Sequence, residues 1–435
     1  MAEGFIGQAK ATSLGLGLPN LPRALIPGHP GVQSPAELKA NVLKTTLEDV
    51  ITHLTQNVAS GTLDDEPDPA VPVFRGGIDA VNEEFVAREW SDGLPIIPPT
   101  RARIEAFLRH TKREPTECLG VLLPDNREAT IWSVAVNGVM AGCRPEYMPM
   151  LVTLIEAMAD PEYGVEHSGN TPGAETLILL NGPIIKELGF NYTQGVMRDG
   201  VRPNTSIGRF WRLYLRNVAG FLPHKTDKGT FGNTWRVVVP ENEDVLAELG
   251  WPNLAMEAGL ERSDNAVTIS RFTGGAVASS VSGSTPEELI PNLADALKRQ
   301  TSGQITFIMG TGYGTLRPLL MLSPILAQTL AKAGWSKVDV KRAVWEQARM
   351  KAWEFERQLR DWGQKPIWNL REEAALGNIP ADVYAASDDP ERLVPIAWKP
   401  EHIMLAVTGD PLRNNAYVFG QNGQLGFTVT KKIRI

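Results

Sequence analysis

Apolar positions along the chain alternate between two spacings. Short apolar runs rich in β-branched and other bulky residues predict strands at Leu119–Leu123, Thr176–Leu180, Thr234–Val239, Ala266–Arg271, Gln304–Met309 and His402–Val407. Between them, apolar residues three and four apart predict helices over Ile78–Trp90, Arg101–Lys112, Thr130–Met140, Glu146–Met158, Ser206–Val218, Pro286–Arg299, Pro324–Ala333 and Ser336–Trp362. Strands that alternate with helices predict an α/β protein, with two lobes, mixed or mostly parallel sheets and a helical C-terminal segment. No repeat with a period of about 20–50 residues is visible.

The N-terminal part is patterned differently. Residues 1–34 are rich in Gly, Pro and Leu without clear periodicity. Ser34 then has the signature of an N-cap with Glu37 as its capping-box partner, which predicts a helix from Pro35 to Leu54. An acidic, proline-rich stretch follows and has the composition of a linker. The expected organisation is an N-terminal segment 1–56, a linker 57–75 and a large region 76–435, with lobes near 76–275 and 276–435.

Composition narrows this picture. A chain of 435 residues, 43% hydrophobic, can bury a substantial core. Its net charge of −7 is spread along the sequence, so no basic stripe offers itself to nucleic acid. No apolar run approaches the roughly 20 residues of a membrane span, and no signal peptide is visible at the start. Two cysteines cannot make a disulfide framework. Together these predict a cytoplasmic protein with neither nucleic-acid nor membrane partners; the partners expected on other grounds are a small-molecule substrate and further copies of the chain in a homo-oligomer, or a related subunit. Glycine (40) and proline (32) punctuate the apolar runs, as expected of many tight turns at strand ends.

Four segments combine such turns with polar side chains. In Ser91–Thr100, Asp92 begins a turn and Thr100 caps a helix, and either can face a pocket. In Asn137–Pro149, Cys143 lies in an elbow before a helix N-terminus, with Arg144 beside it; that setting lowers a thiol pKa, although a buried structural cysteine satisfies the same sequence. Cys118, just before a strand, belongs in the core. In His167–Gly182, Asn170, Thr171 and Asn181 flank a strand and can hold a carboxylate or carbonyl, or simply shape turns, and His167 is the best-placed base. In Asp199–Leu213, Asn204 or Ser206 caps a long helix whose free amides and Arg209 would bind an anion. Glu241 and Asn242 add a carboxylate and an amide at a later strand end.

No G-x-G-x-x-G, Walker lysine loop, HExxH, paired CxxC or G-x-S-x-G motif is present, and Gly310-Thr-Gly312-Tyr-Gly314 has the wrong spacing. Neither a cofactor nor a metal is expected.

The runs Trp90-Ser-Asp-Gly-Leu-Pro-Ile-Ile-Pro-Pro-Thr100, Ala135-Val-Asn-Gly-Val-Met-Ala-Gly-Cys-Arg-Pro-Glu-Tyr147, Asn181-Gly-Pro and Asn204-Thr-Ser-Ile-Gly-Arg209 resemble a bacterial family associated with UGSC-motif selenoprotein-like proteins. The resemblance covers about Gly76 to Lys432. Leu14–Thr55 looks like the C-terminal half of the UGSC-type module, without its Cys-Gly-Ser-Cys part. Three segments depart from the pattern the resemblance implies. Gly232-Asn-Thr-Trp-Arg236 stands for Gly-His-Pro-Gly-Lys, and Ser323-Pro-Ile-Leu326 for Ser-Pro-Glu-His. Gly409-Asp-Pro-Leu-Arg-Asn-Asn415 stands for Gly-Gly-x-Gly-Lys-His-Ser.

Three functions follow as expectations. The first is a cofactor-independent enzyme of lyase or hydrolase type acting on a small anionic or carbonyl-bearing molecule by addition, elimination or hydrolysis. Cys143, His167 and Glu241 would be its catalytic groups, and Asp92, Thr100, Arg144, Asn170, Thr171, Asn181, Asn204, Ser206, Arg209 and Asn242 would hold substrate. The second is a thiol redox protein, and the third a non-catalytic binding or partner subunit. Trp335, Trp345, Trp353, Trp362 and Trp368 are expected to pack a core or an interface.

Overall fold

The computed structural model describes residues 1–57, 68, 71–302, 315–361, 369–421 and 426–434. Its strands, in chain order, are β1 (Cys118–Leu122), β2 (Arg127–Thr130), β3 (Glu175–Asn181), β4 (Val238–Pro240), β5 (Ala266–Ala278), β6 (Leu319–Leu322), β7 (Arg349–Lys351), β8 (Leu393–Pro395), β9 (Met404–Val407), β10 (Ala416–Gln421) and β11 (Val429–Lys432). With helices between most of them, the chain is α/β, as the alternation predicts. Among the described residues no helix is long and apolar enough to cross a membrane.

One mixed sheet organises the molecule. Its order is β4-β3-β5-β10-β6-β9, with β11 also beside β5. The outer pairs β3–β4 and β6–β9 are parallel, whereas β3–β5, β5–β10 and β10–β6 are antiparallel. The sheet therefore reads the same from either edge. Chain order repeats too, as β3, β4, β5 and then β6, β9, β10. That repeat, from Glu175 to Leu319, is far longer than the about 20–50 residues of a solenoid unit.

Side-chain alternation along these strands divides the core into layers. Ile178, Leu180, Val238 and Val267 face outward against the helices Ile131–Met140, Met148–Met158 and Arg202–Tyr214. In the other half Leu320, Leu322, Leu405, Val407 and Val418 face the helices Pro286–Thr301, Pro324–Lys332 and Lys337–Gln347. The intervening residues, Leu177, Leu179, Val239, Phe272, Leu319, Met321, Ala406 and Phe419, form a third apolar cluster shared by both halves. The two lobes are thus the two outer layers of one sheet, and β5 runs across the boundary expected near residue 275.

The sheet curls until the carboxyl ends of its edge strands meet. The Asn242 N–H donates to the Val407 carbonyl at 2.8 Å, and the Val407 N–H donates to the Glu241 carboxylate at 3.2 Å. Pro240 has no N–H to offer, and here the Thr408 hydroxyl donates to the Pro240 carbonyl at 2.7 Å.

Local signals explain most helices. The Ser34–Glu37 capping box is present, and the chain is helical from Pro35 to Thr55 through a π turn at Val42–Thr46. Segment 1–56 docks on the large region, where Asn126 donates to the Gly15 carbonyl at 2.7 Å. The expected helix Ser336–Trp362 starts on its Ser336–Asp339 capping box but stops at Gln347, because Arg349–Lys351 pairs with β8. Trp335 and Trp345 pack against the second core, and Trp353 is partly exposed. Trp362, Trp368, the strand Gln304–Met309, the glycines 310–314 and most of the linker lie outside the described residues.

Candidate functional site

The residues singled out by sequence separate into four places. Cys143 is buried among the helices of the first core, and burial pushes its thiol up to about 12, against the opposing influence of Ser206, Arg202 and Arg209. The thiolate expected from the neighbouring helix start is therefore absent at neutral pH; desolvation outweighs a dipole when the group is wholly enclosed. Cys118, expected in the core, is instead exposed at the start of β1.

Asp92 and Arg209 do meet, but they satisfy each other. Arg209 donates twice to the Asp92 carboxylate, at 2.8 and 3.1 Å, and to the Pro95 carbonyl at 2.9 Å. Arg236 adds a third contact at 3.1 Å. Burial raises the Asp92 pKa, but the hydrogen bonds and charge of Arg209, with the charge of Arg236, outweigh it and leave the carboxyl below its usual range. This ion pair ties the loop at Asp92–Pro95 to the helix Arg202–Tyr214, so Arg209 is not available to a substrate anion. That helix also begins earlier than expected. Its N-cap is Val201, Pro203 occupies the first turn, and neither Asn204 nor Ser206 caps it. Asn204 spends its amide on Asn191 and Val238, and Ser206 is buried with its hydroxyl against the Cys143 thiol. Arg144 is exposed beside Glu146.

His167, Asn170 and Thr171 shape a surface turn. Asn170 donates to the His167 carbonyl and accepts from Ala174, and the Thr171 carbonyl accepts both polar hydrogens of Thr230. Partial burial and Arg271 lower the His167 pKa, with Glu166 opposing, which favours the neutral ring. No substrate-sized cavity adjoins it among those described.

Asn181, Glu241 and Asn242 gather at the meeting of β4 and β9. Glu241 is fully buried. It accepts from Asn181, Leu254 and Val407, and lies 3.6 Å from the ammonium of Lys337, which is 1% exposed. Burial pushes this carboxyl up, opposed by Lys337 and the N–H donors. With both oxygens engaged, Glu241 braces the curl of the sheet and is not presented to a substrate. Asn242 caps the next helix by accepting from Val245. Thr100 occupies an N-cap position, yet its side chain makes no capping bond.

The position equivalent to Asn181 in the second half is Ser323, after β6, and its surroundings are open. A cavity of about 600 Å³ lies at the carboxyl ends of β6 and β9. Ser323, Thr408 and Asn415 supply polar groups, Met321, Val277 and Tyr417 an apolar wall, and Arg198, Arg413 and Asp410 add two cations and one carboxylate to the lining. Ser323 is 7% exposed, is the N-cap of the helix Pro324–Lys332 without a capping bond, and has a hydroxyl with no partner. Neither Arg198 nor Arg413 forms an ion pair among the described residues. Ligands of α/β sheets bind outside the carboxyl ends of strands, and a helix N-terminus favours an anion there. Trp235 supports this wall from behind, 5.2 Å from Phe419, which in turn lies 4.6 Å from Tyr417. The segments 232–236, 323–326 and 409–415 thus each contribute to the cavity or its backing. Its usable sequence signal was a Ser-Pro pair directly after an apolar strand.

The fold and cavity define a class: a mixed-sheet α/β protein with a ligand-sized opening at the end of a parallel strand pair. Comparison with family models, curated proteins and solved structures finds no match to this chain.

Proposed function

We propose that the protein binds a small organic anion, without a cofactor, in the cavity at the carboxyl ends of β6 and β9. The observation that carries this reading is the unpartnered Ser323 hydroxyl at an uncapped helix start, in a cavity also lined by Arg198 and Arg413, neither of which forms an ion pair among the described residues. The anion's charged end would lie between Ser323 and Arg198 or Arg413, and its apolar part against Met321, Val277 and Tyr417. Binding is favoured over thiol or histidine chemistry because Cys143 is protonated and enclosed, Glu241 is fully engaged and His167 stands apart. On this reading the departures from the UGSC-type pattern mark a re-specialised pocket, with Arg413 retaining a cation and Asn414 replacing a histidine.

Equilibrium dialysis against a panel of short aliphatic and aromatic carboxylates and phosphate esters tests it. At least one member should bind saturably, and the double variant Arg198→Ala/Arg413→Ala should weaken it about 10- to 100-fold, the worth of charge-assisted hydrogen bonds. Absence of saturable binding across the panel, or undiminished affinity in the double variant, overturns the proposal.

A further inference from the structure

A second cavity, of about 900 Å³, lies on the opposite lobe and is independent of the first. Its walls are the helices Ile78–Ala87, Arg101–Leu108 and Ile131–Met140, and the extended residues 71–76 cross its mouth. The two longest motifs of the family resemblance converge here: the run ending at Thr100 contributes Trp90, Pro98, Pro99 and Thr100, and the run from Ala135 contributes Val136, Asn137 and Met140. The Asp92–Arg209 ion pair holds the first of these runs in place. That clamp gives the buried carboxylate a purpose other than catalysis.

The chemistry of the lining is uneven in an informative way. Aromatic surface comes from Trp90, Trp132, Phe74 and Phe85, with Phe85 edge-on to Trp90 at 5.4 Å. Beneath lies a chain of amides. Asn217 donates to the Asn137 side-chain oxygen at 2.8 Å, and Asn137 donates to the Ser133 carbonyl at 2.9 Å. In that chain the Asn217 oxygen is left buried with no donor to accept from. A buried acceptor without a partner is destabilising, and a ligand's N–H or O–H would relieve it. At the rim stand Arg75 and Arg103, the latter donating to the Pro98 carbonyl at 2.9 Å, and among the described residues no carboxylate lines the cavity.

We propose that this cavity is a second binding site, for a planar aromatic acid that carries an N–H or O–H on its ring system. The ring packs against Trp90 and Trp132, its donor meets Asn217, and its carboxylate lies toward the arginines at the mouth. Aromatic faces suit a flat ligand, and the cluster of guanidinium groups selects the anion over its neutral analogue.

Isothermal titration with indole-3-acetate, its methyl ester and its N-methyl derivative tests this assignment on the full chain. The acid binds, and the ester and the N-methyl compound each bind about ten-fold more weakly, the worth of one hydrogen bond or charge contact. Asn217→Leu erases the preference for N–H over N-methyl while leaving the acid-over-ester preference. Arg75→Ala/Arg103→Ala does the reverse. Arg198→Ala/Arg413→Ala at the first cavity changes neither ratio, which separates failure of this site from failure of the other. The proposal is overturned if the wild-type chain binds none of the three below about 1 mM, or binds all three alike. It is also overturned if a folded Asn217→Leu protein, judged by an unchanged melting curve, keeps the N–H preference.

Discussion

A thiol pushed up to about 12 is protonated at neutral pH, so Cys143 presents a small, weakly polar group to the helices around it. Cys118 lies exposed on β1. Iodoacetamide at pH 7.5 should therefore label one cysteine in the native protein, Cys118, and the second only after denaturation. Mass spectrometry of the labelled peptides reads this directly, and native labelling of Cys143 would refute its assigned environment. The sequence around Cys143 does contain a helix start and an arginine, the usual ingredients of a reactive thiol. What it does not contain is enclosure by Tyr147, Ile207 and Phe210, which are buried in the same cluster. Asp92 and Arg209 are similar. Each is legible as a charged residue near a turn or helix start, but 117 positions separate them in the chain, and only tertiary structure pairs them.

Elements with strong local signals are the ones the sequence reveals. Ser34, Thr130 and Ser336 all form the capping boxes their neighbours permit. β10 has no comparable signal: it is short, ends at Gly420-Gln421, and follows a loop that reads as continuous turn. β5 is longer than its apolar run because Gly274 and Gly275 continue the ladder opposite Gly420 and Phe419. Edge strands β4 and β9 are held by contacts outside any ladder. Glu241→Ala should lower stability by about 3 kcal/mol, since it removes three accepted hydrogen bonds and leaves the buried Lys337 with Glu257 as its remaining carboxylate partner. Thr408→Val, which loses one hydroxyl bond to Pro240, should cost about 1 kcal/mol. Urea denaturation of both variants measures the difference, and equal losses would contradict the bracing role given to Glu241.

At the scale of the whole molecule, the α/β class was legible because buried strands and amphipathic helices leave different periods. The location of the proposed binding cavity was not, because its lining comes from β5, β6 and β10 and the residues that follow β6 and β9, which lie far apart in sequence. The sheet that reads alike from both edges has a further consequence, for assembly. A cut between Ser302 and Thr315 would bare on one fragment the β5 edge that β10 and β11 cover in the intact chain, and on the other the β10 edge that β5 covers. Fragments 1–302 and 315–435, expressed together, should co-elute as one species on size exclusion, and each alone should self-associate through its exposed inner strand. Separate elution of the co-expressed pieces would count against this. In those terms the two halves stand to one another as protomers of a closed pair.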